Sequence, residues 1–267
     1  MGALNVTPDS FSDGGRFLDP DAAVARGLEM AEQGADLVDV GGESTRPGAD
    51  PVSAEEEISR VVPVIRRLAG ETDLPISVDT RKGEVARAAV EAGADIVNDV
   101  SGGADPQMFE LVRANGAAMV VMHMRGEPRS MQQYTDYDDL VADVKAELRS
   151  RLHAAVAAGI DPERLVVDPG LGFAKTPAQS LLLMRDIGRF GGLGRPVLVG
   201  PSRKSFIGFA LGGADVGDRL EGTAGAVGWL AAHGAHIVRV HDVREMARVL
   251  RVVDAIRTAD AEAGTHR

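Results

Sequence analysis

Short apolar runs alternate with stretches of helical period along almost the whole chain. The runs fall at residues 2–6, 36–40, 75–79, 95–99, 117–123, 165–168, 196–200 and 236–241, bounded by Gly, Pro, Asn and Asp, which is the pattern of buried strands. Between them, apolar residues return every three or four positions. Val24, Leu28 and Ala31 share one helical face, Ile58, Val61, Val62 and Ile65 another, and Leu140, Val144, Leu148, Leu152 and Val156 mark the longest. Further helices are expected before Ala92, after Asp105-Pro106, from Leu181 to Ile187, from Gly222 to His233 and, to close, over Val243, Met246, Leu250 and Val253. Ser53 with Glu56 resembles a capping box, and Pro63 weakens the case for a continuous second helix because proline removes an intrahelical hydrogen bond.

Eight strand-helix units with continuously apolar strands predict a parallel sheet covered by helices. The fold class is α/β, and eight regular units in 267 residues fit a single (β/α)8 TIM barrel better than the alternative, an open doubly wound sheet. No linker or shift in composition divides the chain, so one domain over residues 1–257 is expected, with 258–267 as a frayed tail.

Composition narrows the chemistry. Only 4% of residues are aromatic against 44% hydrophobic, so the core must be built from Ala, Val, Leu and Ile, which suits barrel layers. A net charge of -11 argues against a nucleic-acid or membrane-surface protein. There is no cysteine, which excludes disulfides, a thiolate nucleophile and zinc-thiolate sites. No apolar run has the length of a membrane span and no signal-peptide pattern is present, so a cytoplasmic location is expected.

Polar residues gather where barrel enzymes keep their sites, at the carboxyl ends of strands. These are Asn5, Arg46 in the second loop, Asp79, Asn98 with Asp99, His123, Asp168, Arg203 with Lys204, and Arg239 with His241. Each has a duller alternative: Asp79 could pair with Arg81, Asp99 could cap the turn at Ser101, Arg203 could pin its loop to a carboxylate, and Asn5, Asn98 and Asp168 could simply start turns. The run Asp168-Pro-Gly-Leu-Gly-Phe-Ala-Lys-Thr176 looks like a phosphate loop, but one residue between its glycines and Ala174 before Lys175 do not match Walker A spacing; Lys175 reads as the solvated end of the loop. His123 has no second ligand at metal spacing, and Ser202 lacks the glycine that follows a nucleophile elbow. A carboxylate with an amide, such as Asp168 with Asn98, suits a flat heteroaromatic with amino and lactam edges, while Arg46, Arg239 and His241 suit an anionic leaving group.

At these residues the chain resembles the dihydropteroate synthases, pterin-binding enzymes of folate biosynthesis that sulfonamides inhibit. Five stretches carry the resemblance, in order: residues 4–15, 41–48, 98–102, 168–173 and 202–206. The resemblance implies a transferase that condenses 6-hydroxymethyl-7,8-dihydropterin diphosphate with 4-aminobenzoate, giving 7,8-dihydropteroate and pyrophosphate, with Mg2+ accompanying the diphosphate. It implies a pterin set of Asp79, Asn98, Asp168 and Lys204, lined by Met122, Phe173 and Gly200, with Arg239 stacked on the ring. It places Asn5, as metal ligand, and His241 at the diphosphate end. Phe11, Thr45, Pro47 and Ser205 would hold 4-aminobenzoate, with Asp13 and Arg46 organising closure of the first two loops. Pyrophosphate would leave first, Asp79 and Asp13 stabilising the cation left behind, and no covalent intermediate is required. A homodimer through the outer helices is implied as well. Ala174 departs from the glycine common in the family, a change that matters only if its φ is positive. The alternatives are a related methyltransferase acting on methyltetrahydrofolate, which needs neither an arylamine nor a diphosphate site, and a catalytically silent pterin-binding partner subunit.

Overall fold

The computed structural model describes residues 1–7, 19–45 and 48–259. Strands β1 (Gly2–Asn5), β2 (Val38–Gly41), β3 (Ile76–Asp79), β4 (Ile96–Asp99), β5 (Ala118–Met122) and β6 (Leu165–Asp168) pair in parallel, each with the next. β7 (Leu198–Val199) and β8 (Ile237–Val238) form a parallel pair of their own. Parallel bridges Val167 to Val197 and Gly2 to Val240 join the two sheets on both sides. The barrel therefore closes, as the eight units predict, although the last two strands are shorter than the apolar runs from which they are read.

The two-residue alternation of a strand explains what each side chain does. Val38, Val40, Ile76, Val78, Val97, Met119, Val121, Leu165, Val167, Val199 and Val238 point outward and are buried in the main core, against the helices. The alternate residues point into the barrel. Low in it, Val120 and Leu198 pack with Leu37, Ile96, Val166 and Ile237. One step further along the strands the same inward rows reach Asp39, Asp79, Asn98, Met122, Asp168, Gly200 and Arg239. A single periodicity thus makes an apolar floor and a polar mouth.

The helical layer comprises α1 (Pro20–Glu32), α2 (Ala54–Glu71), α3 (Gly83–Glu91), α4 (Met108–Asn115), α5 (Leu140–Ala157), α6 (Pro177–Arg185), α7 (Ser205–Ala210), α8 (Leu220–Ala232) and α9 (Val243–Thr258). α2 runs unbroken through Pro63, because Val61, Val64, Ile65 and Leu68 bury a face that outweighs the lost hydrogen bond. At its start Ser53 caps Glu56 N, but the Glu56 carboxylate pairs with Arg60 rather than completing a box. The reciprocal capping box lies instead at Thr176 and Gln179, opening α6. α7 was not separable in the sequence from the loop after β7. α9 carries helix through Thr258, the first residue of the expected tail; the remainder of that tail from residue 260 lies outside the described residues.

Candidate active site

Two walls face each other across the mouth. The first is made by β2, β3, β4 and the end of β8. Arg239 donates from Nε to Asp39 Oδ2 at 2.6 Å and from Nη2 to Asp79 Oδ2 at 2.9 Å. Asn98 Nδ2 donates to the same Asp39 Oδ2 at 3.1 Å. Asp39 is fully buried, and Asp39 Oδ1 and Asp79 Oδ1 have no hydrogen-bond partner among the described residues. Burial pushes the Asp79 carboxyl up to about 7 against the pull of Arg239, with Asp39 adding to the rise. Burial opposes the Arg239 charge, yet the two carboxylates hold its pKa above the ordinary arginine range. Arg81 goes to Glu43 at 3.4 Å, so Asp79 is not its partner.

The second wall is the loop after β6 with Lys204 beyond β7. Asp168 Oδ1 accepts from Gly170 N at 2.7 Å, and burial raises its pKa while Lys204 opposes the rise. Gly170 has φ +68°, and a Cβ there would meet His123 O at 2.1 Å, so no side chain fits. Lys204 Nζ donates to Leu171 O at 2.5 Å and lies 4.6 Å from the Phe173 ring centroid. Burial lowers Lys204 to about 8 despite Asp168. Met122 and Phe173 are buried in one small cluster beside this loop. A Cβ on Gly200 would sit in ordinary contact with Arg239 at 3.7 Å, so that glycine is not demanded by space.

Asn5 and His241 meet at the seam between β1 and β8, Asn5 Nδ2 lying 3.5 Å from His241 Nε2. His241 Nδ1 is 3.0 Å from Ser202 Oγ. Thr45 is half-buried on the second loop, and Ser205 is exposed as the first residue of α7. Phe11, Asp13, Arg46 and Pro47 lie outside the described residues.

Some candidates take the plainer role. Asp99 accepts from Ser101 N at 2.8 Å and from Gly103 N at 2.6 Å, which closes a turn. Arg203 is ion-paired with Asp242, tying the loop after β7 to the start of α9. Two features escaped the sequence. Asp39 lies inside an apolar run rather than at its end, although the period of two that turns Asp79 inward also predicts its direction. Lys175 is corrected outright: it is not solvated but 2% exposed, its Nζ 2.8 Å from Phe173 O and 2.9 Å from His123 Nδ1. Ala174 does have a positive φ, +51°, so its departure from glycine carries backbone strain.

A barrel with carboxylates, an amide and cations converging at one mouth defines a small-molecule enzyme of the α/β-barrel class. The chain matches the pterin binding enzyme family over residues 1–241 and belongs to that family. It is 50% identical to dihydropteroate synthase of Mycobacterium leprae over 262 residues, covering 96% of this chain and 92% of that protein. It is similar to the structure of Xanthomonas albilineans dihydropteroate synthase with 4-aminobenzoic acid (TM-score 0.91, 47% identity, 97% of this chain and 93% of that one). The same organism's enzyme in complex with 7,8-dihydropteroate aligns with TM-score 0.88 and 44% identity, again over 97% and 93%.

Proposed function

We propose that this chain acts as a dihydropteroate synthase, joining 6-hydroxymethyl-7,8-dihydropterin diphosphate to 4-aminobenzoate with release of pyrophosphate. The observation that carries the reading is the set of buried inward residues Asp79, Asn98 and Asp168, in which Asp79 Oδ1 lacks a donor among the described residues. A planar pterin edge rich in N–H groups supplies such donors. Asp168 grips the amino edge, Asn98 reads the ring beside it, and Lys204 spans from Phe173 toward the lactam side. Arg239 is held flat by Asp39 and Asp79, a posture that suits stacking on the ring. With Nε and Nη2 already turned to carboxylates it is poorly placed to receive the departing anion.

Asn5 and His241 form the polar corner that receives the diphosphate. Among the described residues no group of three or more His, Asp or Glu could hold a metal ion. One hard amide oxygen at Asn5 does fit Mg2+ whose other ligands are phosphate oxygens and water, which would neutralise charge on the leaving pyrophosphate. Asp79 faces the pterin, where its charge stabilises the cation left as the C–O bond breaks. The arylamine nitrogen then attacks the methylene carbon and loses its proton. Thr45 and Ser205 border the arylamine side, with Phe11, Pro47, Asp13 and Arg46 assigned there from the resemblance alone.

Pyrophosphate release by the purified chain, measured with and without 4-aminobenzoate, tests the reading. Multiple-turnover release that depends on 4-aminobenzoate and stops in Lys204→Ala supports it; no release, or release in Lys204→Ala at the parent rate, rejects it. No helix among the described residues is long and apolar enough to cross a membrane. Exposed Phe209, Leu211, Leu220 and Trp229 on the outer helices support a homodimer, which sedimentation would detect as twice the chain mass.

A further inference from the structure

Lys175 is among the largest fully enclosed side chains of the described residues, yet no carboxylate among them pairs with it. Its ammonium is satisfied by a carbonyl and an imidazole: Phe173 O at 2.8 Å and His123 Nδ1 at 2.9 Å. The far nitrogen of that ring, His123 Nε2, is 3.0 Å from Glu147 Oε2 on α5, and Glu147 also binds Arg125. Burial pushes His123 down to about 4 and lowers Lys175 well below the usual lysine range, so the imidazole is neutral, accepting at Nδ1 and donating at Nε2. Enclosing a lysine this way is costly, and a methionine would fill the same volume without that cost.

What the ammonium touches explains its presence. Phe173 lines the pocket beneath Lys204, and His123 is the residue whose carbonyl lies where a Gly170 side chain would be. His123 N also donates to Asp168 O at 2.9 Å. The loop between is strained at Ala174, φ +51°, and is held from outside by Tyr137 Oη to Ala174 O at 3.0 Å and Gln132 Nε2 to Gly172 O at 2.9 Å. Lys175 closes the same loop from within.

We propose that Lys175 is a positioning residue for the pterin: through Phe173 O and His123 Nδ1 it fixes the loop that presents Asp168 and Phe173, with Glu147 orienting the imidazole. Pterin as the ligand rests on the functional reading above. The arylamine side, built from other loops, is not set by this network.

The test compares Lys175→Met with the parent, using 6-hydroxymethylpterin, which cannot react, as the calorimetric probe. Lys175→Met is expected to weaken its Kd and raise the KM for the pterin diphosphate by about tenfold or more, the scale of leaving a buried hydrogen-bond partner unsatisfied. The KM for 4-aminobenzoate stays within about twofold. A second pair guards against a folding failure. His123→Asn keeps an acceptor where Nδ1 stood and His123→Gln does not, so Asn should retain several times more pterin affinity than Gln. Unchanged pterin affinity in Lys175→Met, an equal rise in both KM values, or equal loss in the two His123 variants overturns the proposal. If the parent binds the pterin but releases no pyrophosphate, the assigned activity fails while the binding comparison still decides the role of Lys175.

Discussion

The two walls of the mouth solve the cost of buried charge in opposite ways. On the wall of β2, β3 and β8, charge answers charge: Arg239 lies between Asp39 and Asp79, and each carboxylate keeps one oxygen unpartnered among the described residues. On the wall of β5, β6 and β7, the lysines are satisfied by main-chain carbonyls and an imidazole: Lys204 by Leu171 O, Lys175 by Phe173 O and His123. The first arrangement keeps carboxylate oxygens buried without a donor and ties its own stability to one guanidinium. The second spends its hydrogen bonds on the shape of a loop. A ligand therefore meets a charged wall on one side and a hydrogen-bonded loop on the other.

The contrast can be broken most severely at Arg239. Arg239→Met leaves Asp39 and Asp79 buried together without their cation and should cost about 3–5 kcal/mol of stability in chemical denaturation. Asp168→Asn, on the other wall, keeps an oxygen for Gly170 N but removes the charge; stability should change little while the KM for the pterin diphosphate rises about 10–100-fold. Proton linkage gives a further test on the first wall. The folded-state pKa of Asp79 lies above its usual 3.8, at about 7, so the folded protein holds a proton that the unfolded chain has lost, and stability falls as pH rises between those values. Denaturation at a series of pH values should show this fall, at no more than about 1.4 kcal/mol per pH unit from one proton, and Asp79→Asn should flatten it. The smallest effect is expected at Ala174→Gly, where relief of positive-φ strain and loss of a buried methyl nearly cancel; its unfolding free energy should lie within about 1 kcal/mol of the parent.

How legible each wall was in the sequence follows from the same contrast. Strand existence, barrel closure and the inward direction of Asp79, Asn98 and Asp168 all follow from a period of two and a count of eight. Asp39 was hidden because it sits one inward step below the strand end, where an apolar neighbour was expected. Lys175 was hidden for another reason: its burial depends on a tertiary acceptor, His123, 52 residues away, and nothing in the local pattern reports such a partner. Conversely, Asp99 and Arg203 looked like candidates because strand-end position does not distinguish a turn cap or a loop tether from a ligand-facing group. Pro63 shows the same limit in the fold, since the packing of α2 overrides a local signal for a break.

In the proposed reaction both walls grip one pterin for transfer to an arylamine. Mass-spectrometric detection of 7,8-dihydropteroate, alongside pyrophosphate, tests it most directly. With both substrates the parent chain should form the two products in equal amounts, and Asp168→Asn should lose most of that turnover at low pterin diphosphate. Product formed by Asp168→Asn with parent kinetics, or no dihydropteroate from the parent chain, would contradict it.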